Sequence, residues 1–268
     1  MHSETKLSEA RAPQRTLMDR AVMWAIWAAF AVALAVSFYP AQMERAPLLF
    51  TNSENMQRFA AEFLRPDFAQ LPYYLQQMLL TLQIALWGTA IAVLLGLPLG
   101  LLGARNVAPA PVVFAARRLM DLLRSVNEIV LGTIFLVAVG LGPFAGVMAI
   151  AAHTAGVLGK LFSEAVESID MRPVEGIRAT GAHPLAQVVW GIAPQVAPLW
   201  TSYALYRFES NARSATVLGL IGAGGIGQAL FEAINRFAYS ETAAIALVVV
   251  VVVAALDIGS DLLRRRLM

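Results

Sequence analysis

The chain has 268 residues, of which 58% are hydrophobic and only 14% charged, with 20 basic against 18 acidic side chains and a mean hydropathy of +0.64. A water-soluble fold carries charge at roughly a quarter of its positions, so this composition excludes soluble globular, disordered, collagenous and coiled-coil classes and leaves a membrane-embedded protein, which the uncharged runs below make an all-α, polytopic one. The lack of cysteine removes disulfides and thiolate chemistry, and three scattered histidines, His2, His153 and His183, are poor material for a metal centre. A net charge of +2 does not point to nucleic acid, because 18 of the 20 basic residues are Arg in an Ala-rich chain, a bias of composition.

In a bilayer each backbone amide has to be satisfied within its own segment, and a helix needs about 20 apolar residues to cross. Residues 21 to 39, AVMWAIWAAFAVALAVSFY, predict the first span. Between Asp67 and Arg105 lie 37 uncharged residues, and 78 to 103 is the natural second span, bent near its end by Pro98 and neighbouring glycines. Glu128 and Lys160 enclose 31 uncharged residues broken by Gly140-Leu-Gly-Pro143, too many for one pass and too few for two. A third helix starting near Arg118 and a fourth over 143 to 160 resolve the count, and carry Arg124, Asn127 and Glu128 into or beside the membrane. Arg178 and Arg207 bracket a fifth span over 187 to 206, and the Val-rich stretch 245 to 253 centres a sixth over 240 to 260.

Lys and Arg in the short loops set the orientation. With the N-terminus inside, the cytoplasmic segments hold 14 basic residues in 78 positions and the outer segments 6 in 74, so both termini are expected in the cytoplasm. The first run is expected to remain as a helix rather than be cleaved as a signal peptide, because its 20-residue leader contains Glu4, Glu9 and Asp19 and no small-x-small site follows.

The loop after the fourth span reads EAVESIDMRPVEGIRATGAHPLAQVVWGIAPQVAP, with acidic, small and apolar residues at helical spacing. Pro173 is placed to open a short helix and Gly181 to close it before His183-Pro184 turns the chain back, with Glu175 and Arg178 facing outward. Glu175, Gly176, Arg178, Ala179 and Gly181, followed by Ala182, His183 and Pro194, resemble the EAA motif of ABC-importer permeases. In that family the loop docks into the ATPase subunit. Gly176 and Ile177 stand where two alanines are usual, and Gly191 and Ala193 where larger aliphatics are. The resemblance implies a type I ABC importer permease fold over 75 to 260, with a coupling loop at 164 to 186. Residues 1 to 74 are then an N-terminal segment, first helix and periplasmic linker, and 261 to 268 a basic tail.

More narrowly, GLGPFAGVMAIAAHTAGVLGKLFSEAVESID and LYRFESNARSATVLGLIGAGGIG are similar to segments of the permease subunit of phosphonate transporters and their phosphite and hypophosphite relatives. The resemblance implies an inner-membrane homodimer, a cytosolic ABC ATPase dimer carrying ATP and Mg, and a periplasmic phosphonate- or phosphite-binding protein. It implies no cofactor and no catalysis in this chain. Asn127 departs from the proline common at that place in such permeases, and is read as the mark of a sub-branch for a different phosphorus oxyanion.

Gly222-Ala-Gly224-Gly225-Ile-Gly227 satisfies the dinucleotide spacing, but it lacks the strand-helix-strand context and the acid about twenty residues on. Two readings stand for it: non-helical backbone that hinges or gates near the substrate path, or close helix packing by small residues. Gly156 to Lys160 fails the Walker A spacing, so ATP has to be hydrolysed elsewhere. Arg207, Glu209, Asn211 and Arg213 are expected beyond the fifth span on the outer side, where Arg207 or Arg213 either helps receive the oxyanion or its binding protein, or anchors the helix at the interface or pairs with Glu209. His153 and Thr154 read as a hydrogen-bonded packing pair. Arg124 and Glu128, four apart, are expected to pair on one helical face, as an inner latch or as simple neutralisation. Rival classes fit less well: a membrane enzyme needs clustered Asp or His, a secondary transporter needs inverted repeats, and a methionine-type permease lacks the 140 to 170 segment.

Overall fold

A computed structural model describes residues 17–48, 57 and 60–267, and those residues form helices without a strand. The chain divides into two compact units, 1–59 and 60–268. The first holds α1 (Leu17–Ser37) and a short 3-10 turn, Met43–Arg45. Trp24, Trp27, Phe30 and Val36 lie on different sides of α1 and are all exposed, as on a helix that meets lipid around its circumference.

The second unit contains α2 (Leu71–Gly103), α3 (Ala110–Ser125), α4 (Glu128–Val139), α5 (Pro143–Glu167), α6 (Arg172–Ala179), α7 (Pro184–Gln187), α8 (Ala193–Leu218), α9 (Ile226–Asn235) and α10 (Tyr239–Leu267). A widened helical turn, Val188–Ile192, joins α7 to α8. Four helices, α1, α2, α5 and α10, are each long and apolar enough to cross a membrane. Two bent pairs pass the same test together, α3 with α4, turned by 88°, and the α7–α8 rod with α9, turned by 55°, and counting each pair as one span gives six.

Six spans agree with the sequence reading, but three of their outlines do not. The second begins at Leu71 rather than 78, and runs through Pro98 to Gly103. The third is no single helix from Arg118: α3 starts at Ala110, behind Pro109, and stops at Ser125, where Asn127 begins a new helix. The fifth does not end at 206 but continues through Arg207 to Leu218, and partners inside the unit take up the next charges, Glu209 and Arg213.

Small residues hold the unit together. Gly88, Ala92, Gly96, Gly100 and Gly103 line one side of α2, and α5 presses Ile150, Leu158, Phe162 and Ser163 against it. A methyl at Gly100 would come within 2.6 Å of the Phe162 side chain. Backbones that approach this closely gain dispersion contacts, which matter where lipid removes the hydrophobic drive between helices. Gly156 and Gly159 of α5 do the same against Leu123 and Met120 of α3, which gives the false nucleotide motif a packing role.

Candidate functional site

At one end of the unit the predicted loop forms as expected. α6 opens with Arg172-Pro173, and Gly181 leaves it with φ +77°, a conformation that glycine adopts freely. His183 Nδ1 accepts the Leu185 amide at 3.3 Å and so begins α7. Val174 is the buried anchor of α6, whereas Glu175, Gly176, Arg178, Ala179 and Gly181 are exposed and Ala182 is half-buried. Arg178 reaches back to Gln187 at 3.2 Å. Gly191, a departure from the family pattern, has a reason here, since a methyl on it would meet Val174 at 3.0 Å. Asp170 makes a bidentate pair with Arg172, and this hydrogen bonding holds the exposed carboxyl below the usual aspartate range.

The interior contains a polar thread between three helices. Thr154 of α5 donates to Asn211 Oδ1 at 3.0 Å, and Asn211 Nδ2 donates to Thr89 of α2 at 2.9 Å. Each of the three is buried, and the hydrogen bonds satisfy them where lipid cannot. Thr154 therefore does not pair with His153. His153 Nδ1 lies 3.0 Å from the Val126 carbonyl, and its Nε2 lies 3.7 Å from Glu128.

Glu128 does not pair with Arg124 either. The backbone turns between them, so they no longer share a helical face: Arg124 bonds Asp121 at 2.8 Å, and Glu128 accepts a short hydrogen bond from Ser214 of α8. Asn127 Oδ1 caps α4 by accepting the Ile129 amide at 2.8 Å, so the residue that departs from the family's proline is what starts the new helix.

Arg207, Glu209, Asn211 and Arg213 lie within α8, not beyond it. Glu209 is buried between Arg213 at 3.2 Å and Arg264 of α10 at 3.3 Å, and Arg213 also reaches Asp257 of α10 at 3.1 Å. Arg264 packs over the Tyr206 ring at 5.9 Å. The cluster ties α8 to the C-terminal part of α10, the region counted as inside, so Arg213, one of the six basic residues assigned outside, belongs with it. Arg207 differs from its neighbours. Among the described residues it forms no ion pair, and its buried Nε, like that of Arg264, has no hydrogen-bond partner. Tyr206, Arg213 and Val217 are exposed and Ser210 and Ser214 half-exposed, a stripe at positions i, i+4, i+7, i+8 and i+11 that leaves one side of α8 uncovered.

The glycine segment is a break inside a span. Gly222, Gly224 and Gly225 have φ of +105°, +79° and +74°, and α9 restarts at Ile226. The Thr81 hydroxyl of α2 accepts the Ile226 amide at 2.8 Å and donates to Gln77 at 3.0 Å. Gly142, ahead of α5, donates to the Gly222 carbonyl at 3.1 Å. Gly227 packs so closely on the Thr216 carbonyl that no methyl fits. The segment is thus broken backbone through Gly225 and close packing at Gly227. The sequence reading missed Thr81, Thr89, Ser214, Asp257 and Arg264. Asp257 and Arg264 carried a signal, as ionisable residues at the end of an apolar helix, whereas the hydroxyls are indistinguishable from ordinary span threonines.

Residues 96–268 match the family described as "Binding-protein-dependent transport system inner membrane component". The chain is 40% identical over 237 residues, 88% of its length and 86% of the relative's, to the phosphite transport system permease protein PtxC of Stutzerimonas stutzeri. It is 56% identical over 118 residues, 44% of its length and 97% of the relative's, to PhnE2 of Escherichia coli K12, whose name gives it, as yet unconfirmed, to a cryptic phosphonate transport system. Among solved structures, the MetNI methionine ABC transporter in an inward facing conformation superposes with a TM-score of 0.66 at 20% identity, over 75% of this chain and 99% of that one.

Proposed function

The chain belongs to the family of binding-protein-dependent transport system inner membrane components, and from that premise we propose that it is the permease through which an ABC importer moves phosphite or phosphonates inward. The names of its relatives support the substrate class. The observation that carries a route is the open guanidinium of Arg207, in a helix whose other interior charges are all matched. An Arg fork suits a tetrahedral oxyanion, since two of its N–H groups can meet two phosphoryl oxygens, and Ser210 beside it on the uncovered stripe supplies a neutral donor.

Two copies of the chain enclose the path, and a cytosolic ATPase dimer holding ATP and Mg docks on the exposed face of α6 around Glu175 and Arg178. A periplasmic binding protein delivers the anion. Closure of the ATPase pushes α6, and Val174 against Gly191 passes the displacement to the α7–α8 rod that bears Arg207. The membrane helices then rock between inward-facing and outward-facing states. Growth of a deletion strain on phosphate, methylphosphonate, phosphite or hypophosphite as sole phosphorus source tests this reading. Restoring the chain rescues growth on phosphite or methylphosphonate, and Glu175→Ala does not, although that variant purifies as a folded protein. Equal growth on every source without the chain, in a strain lacking other permeases for them, refutes the reading.

A further inference from the structure

Around the turn from α2 to α3 lies a cavity of about 430 Å³ lined by Arg105, Arg117 and Arg118 together with Val113 and Phe114. We propose that it is a binding site for the phosphodiester headgroup of an anionic phospholipid of the cytoplasmic leaflet. Arg117 is fixed in the wall, since it donates to Glu167 at 2.7 Å and to the Gly103 carbonyl at 3.0 Å. Arg118 lies over the Phe114 ring at 5.6 Å, is 64% exposed, and has Asp121 at 3.0 Å. Arg105 gives its backbone N–H to Glu167, and its guanidinium forms no ion pair among the described residues. Asp121 also bonds Arg124, so four guanidiniums stand against the carboxylates of Glu167 and Asp121 and the cluster keeps a net positive charge, as an anionic phosphodiester requires.

The surroundings favour a lipid over a free ion. Val113, Ala116 and Met120 bury one face of α3, while the opposite face, through 111, 115, 118 and 122, is exposed and apolar except for Arg118. Phe114 and Leu122 are 67% and 62% exposed, on a helix that forms part of a span. Acyl chains cover such a face, and an Arg among them carries its charge to the headgroup level. The segment 104 to 125 is on the side where basic residues accumulate, and basic pockets between helices on that side attract anionic headgroups. The bound lipid would hold α3 at the interface, ahead of the 88° turn into α4. None of this rests on the substrate proposed above.

Native mass spectrometry of the full chain in detergent, titrated with phosphatidylglycerol or phosphatidylcholine, tests the site. One phosphatidylglycerol is expected to remain per chain in preference to phosphatidylcholine, and R105Q/R118Q weakens it about thirtyfold, at roughly 1 kcal/mol for each basic residue near an anionic headgroup. R65Q/R236Q, with the same loss of charge at the other end of the unit, leaves it unchanged. Equal retention by R105Q/R118Q, or equal retention of phosphatidylcholine, overturns the proposal. So does release of the lipid by millimolar inorganic phosphate, which would assign the cavity to a free oxyanion.

Discussion

The two broken spans solve one problem in different ways. A helix that restarts inside the bundle exposes amides at its first turn, and each needs an acceptor. At the start of α4 that acceptor is two residues away, since Asn127 takes the Ile129 amide. At the start of α9 it comes from another helix, since Thr81 of α2 takes the Ile226 amide across 145 residues of sequence. The first break is a local turn that can form as α3 and α4 form. The second exists only when α2 is in place, so it registers the packing of the whole unit. α4 connects them, because Glu128 at its start bonds Ser214 of α8 and Gly142 beyond its end bonds Gly222.

The difference predicts an order of damage. Gly225→Ala should be the most severe, because φ is +74° there and the added methyl runs into the Thr81 hydroxyl. Strain and overpacking together cost about 2–4 kcal/mol. The check is the midpoint of heat-induced loss of the monodisperse peak in size-exclusion chromatography, which should fall further than for any other substitution named here. Thr81→Val comes next. It leaves the Ile226 amide buried without an acceptor at about 1–3 kcal/mol, whereas Thr81→Ser keeps the acceptor and most of the stability.

Asn127→Ala removes only a local cap, for about 1 kcal/mol, and Asn127→Asp should restore it. If Asn127→Ala proves worse than Thr81→Val, the local break is not the independent one. Asp170→Asn gives the smallest effect, because the pair with Arg172 is fully solvent-exposed. The sign follows from a carboxyl held below its ordinary pKa near 3.8. Its contribution is complete above that value and is lost as the pH falls through the lower folded value, so wild type and variant should converge on acidification.

The same contrast explains what could be read in advance. The loop around α6 is legible in the sequence because Pro173, Gly181 and His183-Pro184 act on their immediate neighbours, and the structure places each where its backbone chemistry requires. Six spans followed from uncharged lengths, but the ends of the third and fifth did not. Charge does not mark the end of the fifth span: α8 carries Arg207, Glu209 and Arg213 within its length, and Asp257 and Arg264 of α10 answer two of them. A partner 44 or 55 residues away leaves no periodic signal. Arg124 and Glu128 failed as a pair for the opposite reason, since helical spacing was assumed across a position where Asn127 starts a new helix. Of the interior candidates, Arg207 gains significance from what it lacks: every other charge in its cluster has an ionic partner.

The most direct measurement is ATP-driven uptake of labelled phosphite and methylphosphonate into proteoliposomes that hold this chain with its ATPase, with the binding protein added. Wild type and Arg207→Lys should import one or both, with the lysine variant slower because it offers a point charge in place of a fork. Arg207→Gln should lose uptake while still folding. Import by Arg207→Gln at the wild-type rate would contradict the account and move the anion's path away from the uncovered side of α8.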